Sequence, residues 1–159
     1  MKVAKFMDWG GKEAVMMQHI LEEARRLGPV PKDAAGEYAD KEDILIESVN
    51  MAMESHPSLF QLIGRDQAEV MYENHRNHAR FMANVFLLNN YELLARTVPW
   101  VYRSYHSRGF SYEYFPVELR AWKEAVRVHL TPEHSIAMIG IYDWLIAKHE
   151  NMILLAKEE

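Results

Sequence analysis

The chain of 159 residues contains no cysteine. This absence excludes a disulfide framework, thiolate catalysis, and zinc or iron–sulfur sites built on thiolates. No apolar run reaches the roughly 18 residues that a membrane-spanning helix needs. Residues 1–5 also lack the apolar stretch of a secretory signal. We therefore expect a cytoplasmic protein that makes no contact with a membrane.

The sequence also has no excess of positive charge. Its 18 lysines and arginines are outnumbered by 23 aspartates and glutamates, which gives a net charge of −5. Neutralising phosphates requires clustered basic side chains in excess, so we expect no nucleic-acid partner. The length suits one domain with its own core, and we assign residues 1–159 to a single domain.

Glycine and proline are sparse, with seven and six residues, and they separate segments whose apolar residues recur every three or four positions. No alternating strand pattern or hairpin signal interrupts them. The sequence predicts an all-α bundle of about six helices, one of them kinked near Pro99. The predicted helices cover about 10–27, 41–55, 66–88, 91–108, a segment carrying Phe115 to Val126, and a last one from Thr131-Pro132 to the C-terminus. Residues 28–40 are predicted to be an irregular connector between the first two helices.

Several helix ends carry recognisable signals. Asp40 is placed to cap the helix over 41–55, and Asp66 with Glu69 resembles a capping box. Gly109 is placed to end a helix in the left-handed conformation. Thr131 followed by proline predicts the start of the last helix.

Five of the eight histidines fall on predicted apolar stripes. At 100° per residue, His75 and His78 lie within about 40° of Met71 and Met82, and Asn74 lies beside them. The same construction places three more histidines toward the core: His129, His134 and His149.

A buried imidazole is costly unless a partner satisfies it. The partners we consider are Asn74, Tyr102, Tyr105, Tyr142 or another histidine, and the alternative is a metal, a haem or another cofactor. The candidate ligand-pocket residues are Asn74, His75, His78, Tyr105, Trp122, His129 and His134. In the metal alternative, His75 and His78 are joined by His134, or by His129.

Known catalytic motifs are missing from the sequence. No glutamate is followed three residues later by histidine, and His149-Glu150 lacks the second histidine of a zinc-protease helix. Phosphate-binding glycine loops and the Gly-x-Ser-x-Gly elbow are also missing. Glu118 and Glu133 are the carboxylates best placed for acid–base chemistry, and we assign no catalytic residue.

Residues 75–134 resemble the helical sensor or cap bundle that accompanies cobalamin-binding modules. The resemblance rests on four features of this segment: the His75…His78 helix leading into Phe86–Tyr91, Trp100-Val101-Tyr102, Arg108-Gly109, and Leu119…Trp122. It implies a sensory or regulatory role. The corrinoid-binding partner domain and its Asp-x-His-x-x-Gly loop are missing from the chain, so the resemblance does not imply cobalamin binding.

Two hypotheses follow from the sequence. The first is a non-enzymatic sensory or regulatory module that binds a small ligand or a partner protein and forms a homo-oligomer. The missing catalytic motifs, ten methionines and a dense aromatic segment favour it. The second is a metal- or haem-binding bundle, a redox enzyme or sensor, that uses the core histidines.

Overall fold

The computed structural model describes residues 7–157, and over that range the chain forms nine α-helices and no strand. The all-α prediction is confirmed, whereas the expected number of about six helices is too low. The helices are α1 (Gly11–Arg25), α2 (Lys32–Asp40), α3 (Glu42–Glu54), α4 (Leu59–Ile63), α5 (Ala68–Leu88), α6 (Tyr91–His106), α7 (Tyr114–His129), α8 (Pro132–Ala147) and α9 (His149–Ala156).

The prediction of an irregular connector over 28–40 is wrong, because α2 occupies most of it. Pro31 immediately precedes the helix, where its missing N–H is tolerated. Gly36 costs a helix interior about 1 kcal/mol relative to alanine. Burial of one face outweighs that cost, since Ala34, Ala35 and Tyr38 are each at most 1% exposed.

The predicted continuous last helix is divided at Lys148, whose backbone N–H bonds to the carbonyls of Trp144 and Leu145. The bond to Leu145 spans three residues instead of four and closes a tighter, 3₁₀-type turn, which ends α8. Helix α9 begins at the next residue. In contrast, α6 continues through Pro99 without interruption. The kink expected at Pro99 stays a prediction.

Of the predicted helix ends, Gly109 is confirmed as a left-handed stop after α6, with φ of +104°. Thr131 directly precedes α8, as predicted. The other two capping predictions are wrong. Asp40 is the last residue of α2, and α5 starts after Gln67 with no side-chain cap.

Helix α3 packs against both α5 and α7. Helix α7 packs mainly on α8 and α3, and α5 packs on α2 and α3. Helix α6 packs on α1 and α9. None of the helices between residues 7 and 157 has the length and apolar character to cross a membrane.

Candidate functional site

Polar side chains from three helices meet in the interior where α3, α5 and α7 pack together. His75 and Trp122 are fully buried, and Glu118 is 3% exposed. Three of the predicted pocket residues, Asn74, His75 and Trp122, therefore lie together. We call the group the buried polar cluster, and its members are Asn50, Asn74, His75, Tyr114, Glu118 and Trp122.

His75 forms hydrogen bonds through both ring nitrogens. Its Nδ1 lies 2.6 Å from Oδ1 of Asn50, and its Nε2 lies 3.0 Å from the hydroxyl of Tyr114. Because an amide oxygen only accepts, Nδ1 carries the proton and Tyr114 donates to Nε2. His75 is therefore a satisfied neutral imidazole.

Glu118 receives donors from both helices. The amide nitrogen of Asn74 lies 2.5 Å from Oε2 of Glu118 and 2.8 Å from the Tyr114 hydroxyl. The indole Nε1 of Trp122, one turn along α7, lies 3.4 Å from the same Oε2. Asn74 thus links the carboxyl to the tyrosine that binds His75.

Burial keeps both titratable groups of the cluster uncharged near neutral pH. It lowers the pKa of His75 to about 3, with a smaller contribution from Arg76. It raises the pKa of Glu118 to about 8, although the hydrogen bond from Trp122 acts in the opposite direction. A neutral acid and a neutral base avoid the cost of burying charge.

His78 takes part in a second chain of hydrogen bonds. Its ring stacks on Trp122 at 4.4 Å between centroids, and its Nε2 lies 2.9 Å from the Tyr142 hydroxyl. The hydroxyl of Tyr38 lies 3.0 Å from that of Tyr142. Burial, with a smaller effect of His75, lowers the pKa of His78 to about 3. Tyr142 was among the partners expected from the sequence.

The remaining predicted pocket residues lie in different places. Tyr105, 6% exposed, lies next to Asn74 of the cluster, and burial raises its pKa. His129 lies at the partly exposed end of α7, outside the buried polar cluster. The expectation that His134 points into the core is wrong, because its two ring nitrogens face the carboxylates of Glu37 and Asp33 at 3.0 and 3.3 Å.

The three predicted metal ligands, His75, His78 and His134, are not brought together. In the described part of the chain, one group of histidine and carboxylate side chains converges closely enough to hold an ion. Its members are Glu113, His149 and Glu150. His149 and Glu150 are adjacent in the sequence, but Glu113 lies too far along the chain to be associated with them by spacing.

The sequence did not indicate Asn50 and Tyr114 as partners of His75, nor Tyr38 as the partner of Tyr142. Asn50 and Tyr38 lie on helices whose packing against α5 cannot be read from a stripe pattern. For Tyr114, the available signal was its place four residues before Glu118, on the same face of a helix.

The buried polar cluster is largely shielded from solvent, and Asn50 is its one partly exposed member. Two surface depressions of about 370 and 320 Å³ are lined by other residues, around Tyr91 and around Phe60. Neither depression is lined by a member of the cluster, so we assign the cluster a role in packing and in the pH dependence of stability. Hydrogen-bond partners from α3, α5 and α7 specify how these helices align.

Comparison with known protein families, with curated proteins and with solved structures finds no match. The resemblance to a cobalamin-associated sensor bundle over residues 75–134 therefore stays a prediction.

Proposed function

We propose that this chain is a non-enzymatic regulatory module that acts by binding protein through the outward face of α8, with a second copy of itself as the partner. The observation that carries the proposal is an apolar strip along a helix already packed on α7. Ile136, at the N-terminal end of the strip, is 70% exposed. Exposed apolar side chains along one face of a packed helix are typical of a surface that binds another protein.

The strip combines exposed and half-buried apolar residues. Its exposed members are Ile136, Gly140 and Ala147. Half-buried apolar residues border the strip on both sides: Ala137, Ile139, Trp144 and Ile146. The indole nitrogen of Trp144 is buried without a hydrogen-bond partner among residues 7–157.

A twofold arrangement suits this face. An antiparallel crossing of two α8 helices at Gly140 places Ile136 opposite Trp144 of the second copy. The two acidic residues of the face, Glu133 and Asp143, then lie opposite Ala147 and Ala137, so no like charges meet. A Cβ built on Gly140 meets no atom within 4 Å, which leaves room for close approach.

The packed interior gives further support to an external binding surface. His75 and His78, the core histidines considered as ligands for a cofactor, each have protein hydrogen-bond partners. Because these partners belong to the protein, the two histidines need no bound small molecule. This supports recognition of a partner protein at the protein surface.

Sedimentation equilibrium of the full chain tests the proposal, and we expect a monomer–dimer equilibrium at micromolar concentration. Ile136→Glu and Gly140→Leu should shift it to monomer. Gly140→Leu should leave the monomer as stable as the wild type or more so, since leucine has the higher helix propensity. Val15→Glu, at an equally apolar position that is 57% exposed on α1, is the matched control and should leave the dimer intact. A monomeric wild type, or a Gly140→Leu protein that still dimerises, would contradict the proposal.

A further inference from the structure

Outside the buried polar cluster, three metal-ligating side chains converge near the start of α9. Glu113 directly precedes α7, and His149 and Glu150 are the first two residues of α9. Each offers one ligand atom, and these atoms lie within 4.8 Å of one another. Two distant parts of the chain thus bring an imidazole and two carboxylates to one point.

The imidazole is held in a defined orientation. His149 is 8% exposed, and its Nδ1 lies 2.8 Å from the hydroxyl of Tyr102 inside the protein. Tyr102 is itself buried and stacks on Phe115 with a centroid separation of 4.0 Å. The Nε2 atom is therefore directed outward, to within 3.2 Å of Oε1 of Glu113. An imidazole anchored through one nitrogen is the arrangement that metal-binding histidines require.

The charge of the two carboxylates also favours a cation at this point. Glu113 and Glu150 bring two carboxylates close together, and no lysine or arginine of residues 7–157 forms an ion pair with either. Neighbouring like charges repel each other. A divalent cation supplies the opposite charge.

One ligand separation matches that of a small transition-metal site, and all three lie within 4.8 Å. Bonds of about 2.0–2.2 Å to nitrogen and oxygen in a tetrahedral site place two ligand atoms roughly 3.3 Å apart. The 3.2 Å separation of His149 Nε2 and Glu113 Oε1 is close to that value. Imidazole with carboxylate is a donor set that Zn²⁺ accepts.

We propose that Glu113, His149 and Glu150 bind a divalent transition-metal ion such as Zn²⁺, with a coordination position left for water. Tyr102 is the positioning residue. Metal binding through Nε2 needs that nitrogen unprotonated, so the imidazole proton resides on Nδ1 and is donated to the Tyr102 oxygen. This site differs from the histidine set expected from the sequence and does not depend on dimerisation through α8.

His134 provides a matched control within the same chain. It too lies between two carboxylates, but Glu37 faces Nδ1 and Asp33 faces Nε2. Because the two carboxylates face different ring nitrogens, one ion cannot bind a single ring nitrogen of His134 and both carboxylates. Removing His134 should leave metal binding unchanged.

Calorimetric titration of ZnCl₂ into the tag-free, metal-depleted full chain tests the site. We expect one equivalent to bind to the wild type and to His134→Ala, and none to His149→Ala. Glu150→Gln, a substitution at an exposed position that leaves folding intact, should weaken binding at least tenfold. Tyr102→Phe should weaken it about 10- to 100-fold. The proposal fails if the wild type binds no zinc, or if His149→Ala and Glu150→Gln bind as the wild type does.

Discussion

The Nε2 atom of His75 lies 3.8 Å from Oε2 of Glu118, and both side chains are buried. The two groups are an uncharged pair, because burial lowers the pKa of His75 to about 3 and raises that of Glu118 to about 8. A buried ion pair has to recover the cost of desolvating two charges. The neutral pair avoids that cost and is satisfied by Asn50, Asn74 and Tyr114 instead.

The first prediction concerns the free energy of unfolding as a function of pH. His75 and His78 bind protons more weakly in the folded state, with pKa values of about 3 against an ordinary 6.5, so stability falls as pH drops below 6.5. Glu118 binds its proton more tightly when folded, at about 8 against 4.5, so its contribution falls as pH rises from 4.5 to 8. We expect the combined effect of these groups to peak near pH 6.5. Urea unfolding from pH 4 to 9 measures it.

Glu118→Gln separates the carboxyl from other groups that titrate in this range. His134, whose pKa is raised mainly by its hydrogen bond with Glu37, also loses stabilising charge as pH rises. In Glu118→Gln the decline above pH 6.5 should be shallower by up to about 1.4 kcal/mol per pH unit, the value for one proton. An unchanged slope would mean that Glu118 is ionised in the folded protein at neutral pH.

The second prediction compares the two core histidines. His75→Ala leaves Asn50 and Tyr114 without their buried partner and creates a cavity, so we expect a loss of about 2–4 kcal/mol in unfolding free energy. His78→Phe keeps an aromatic ring against Trp122, and Tyr142 keeps Tyr38, so the loss should be about 1 kcal/mol. Denaturant unfolding at pH 7 distinguishes them. Equal losses would show that the hydrogen bonds of His75 are unimportant.

The third prediction concerns the end of α5. Asn89 adopts the left-handed conformation with φ of +50°, and its side-chain oxygen accepts from the backbone N–H of Val30 at 2.7 Å and from Tyr91 at 2.9 Å. Asn89→Gly keeps the backbone conformation but loses the two hydrogen bonds, so we expect the free energy of unfolding to fall by about 1 kcal/mol. Asn89→Ala loses the hydrogen bonds and also strains the left-handed backbone, so the free energy of unfolding should fall by about 1 kcal/mol more. Thermal unfolding of the pair tests this order, and an alanine variant as stable as the glycine variant would refute it.

The fourth prediction concerns Glu37, which joins α2 to the start of α8. Its carboxylate accepts from the backbone N–H of Thr131 at 2.8 Å and from Lys41 at 3.1 Å. Partial burial opposes the charge, but these bonds, with those from His134 and the Thr131 hydroxyl, lower the pKa of Glu37 to about 2. The stabilisation is therefore present above the ordinary pKa of 4.5 and is lost as pH falls toward 2.

At pH 7, Glu37→Gln should reduce the free energy of unfolding by about 1–2 kcal/mol. The difference from the wild type should shrink as the pH is lowered below 4.5, because protonation then removes the same charge from Glu37 itself. A difference that stays constant from pH 7 to pH 3 would contradict the assigned role of the carboxylate.

Local sequence patterns were sufficient to predict the helices that bury one continuous apolar stripe. Helices α3, α5 and α6 begin and end within about two residues of their predicted bounds. The stripe of α5 also placed Asn74 and His75 in the core before any partner was known. Helix α2 escaped prediction because Gly36 and the preceding prolines resemble a loop, and only packing on α5 reveals its apolar face.

The sequence by itself determined the all-α class and the inward direction of His75, because helical periodicity depends on residues a few positions apart. The tertiary structure alone decided which groups satisfy that histidine, why His134 pairs with acids at the surface, and where Glu113 meets His149. These outcomes depend on the order of helices around the bundle and on their rotation. Both are set by the joint packing of side chains from distant segments, which no single stripe encodes.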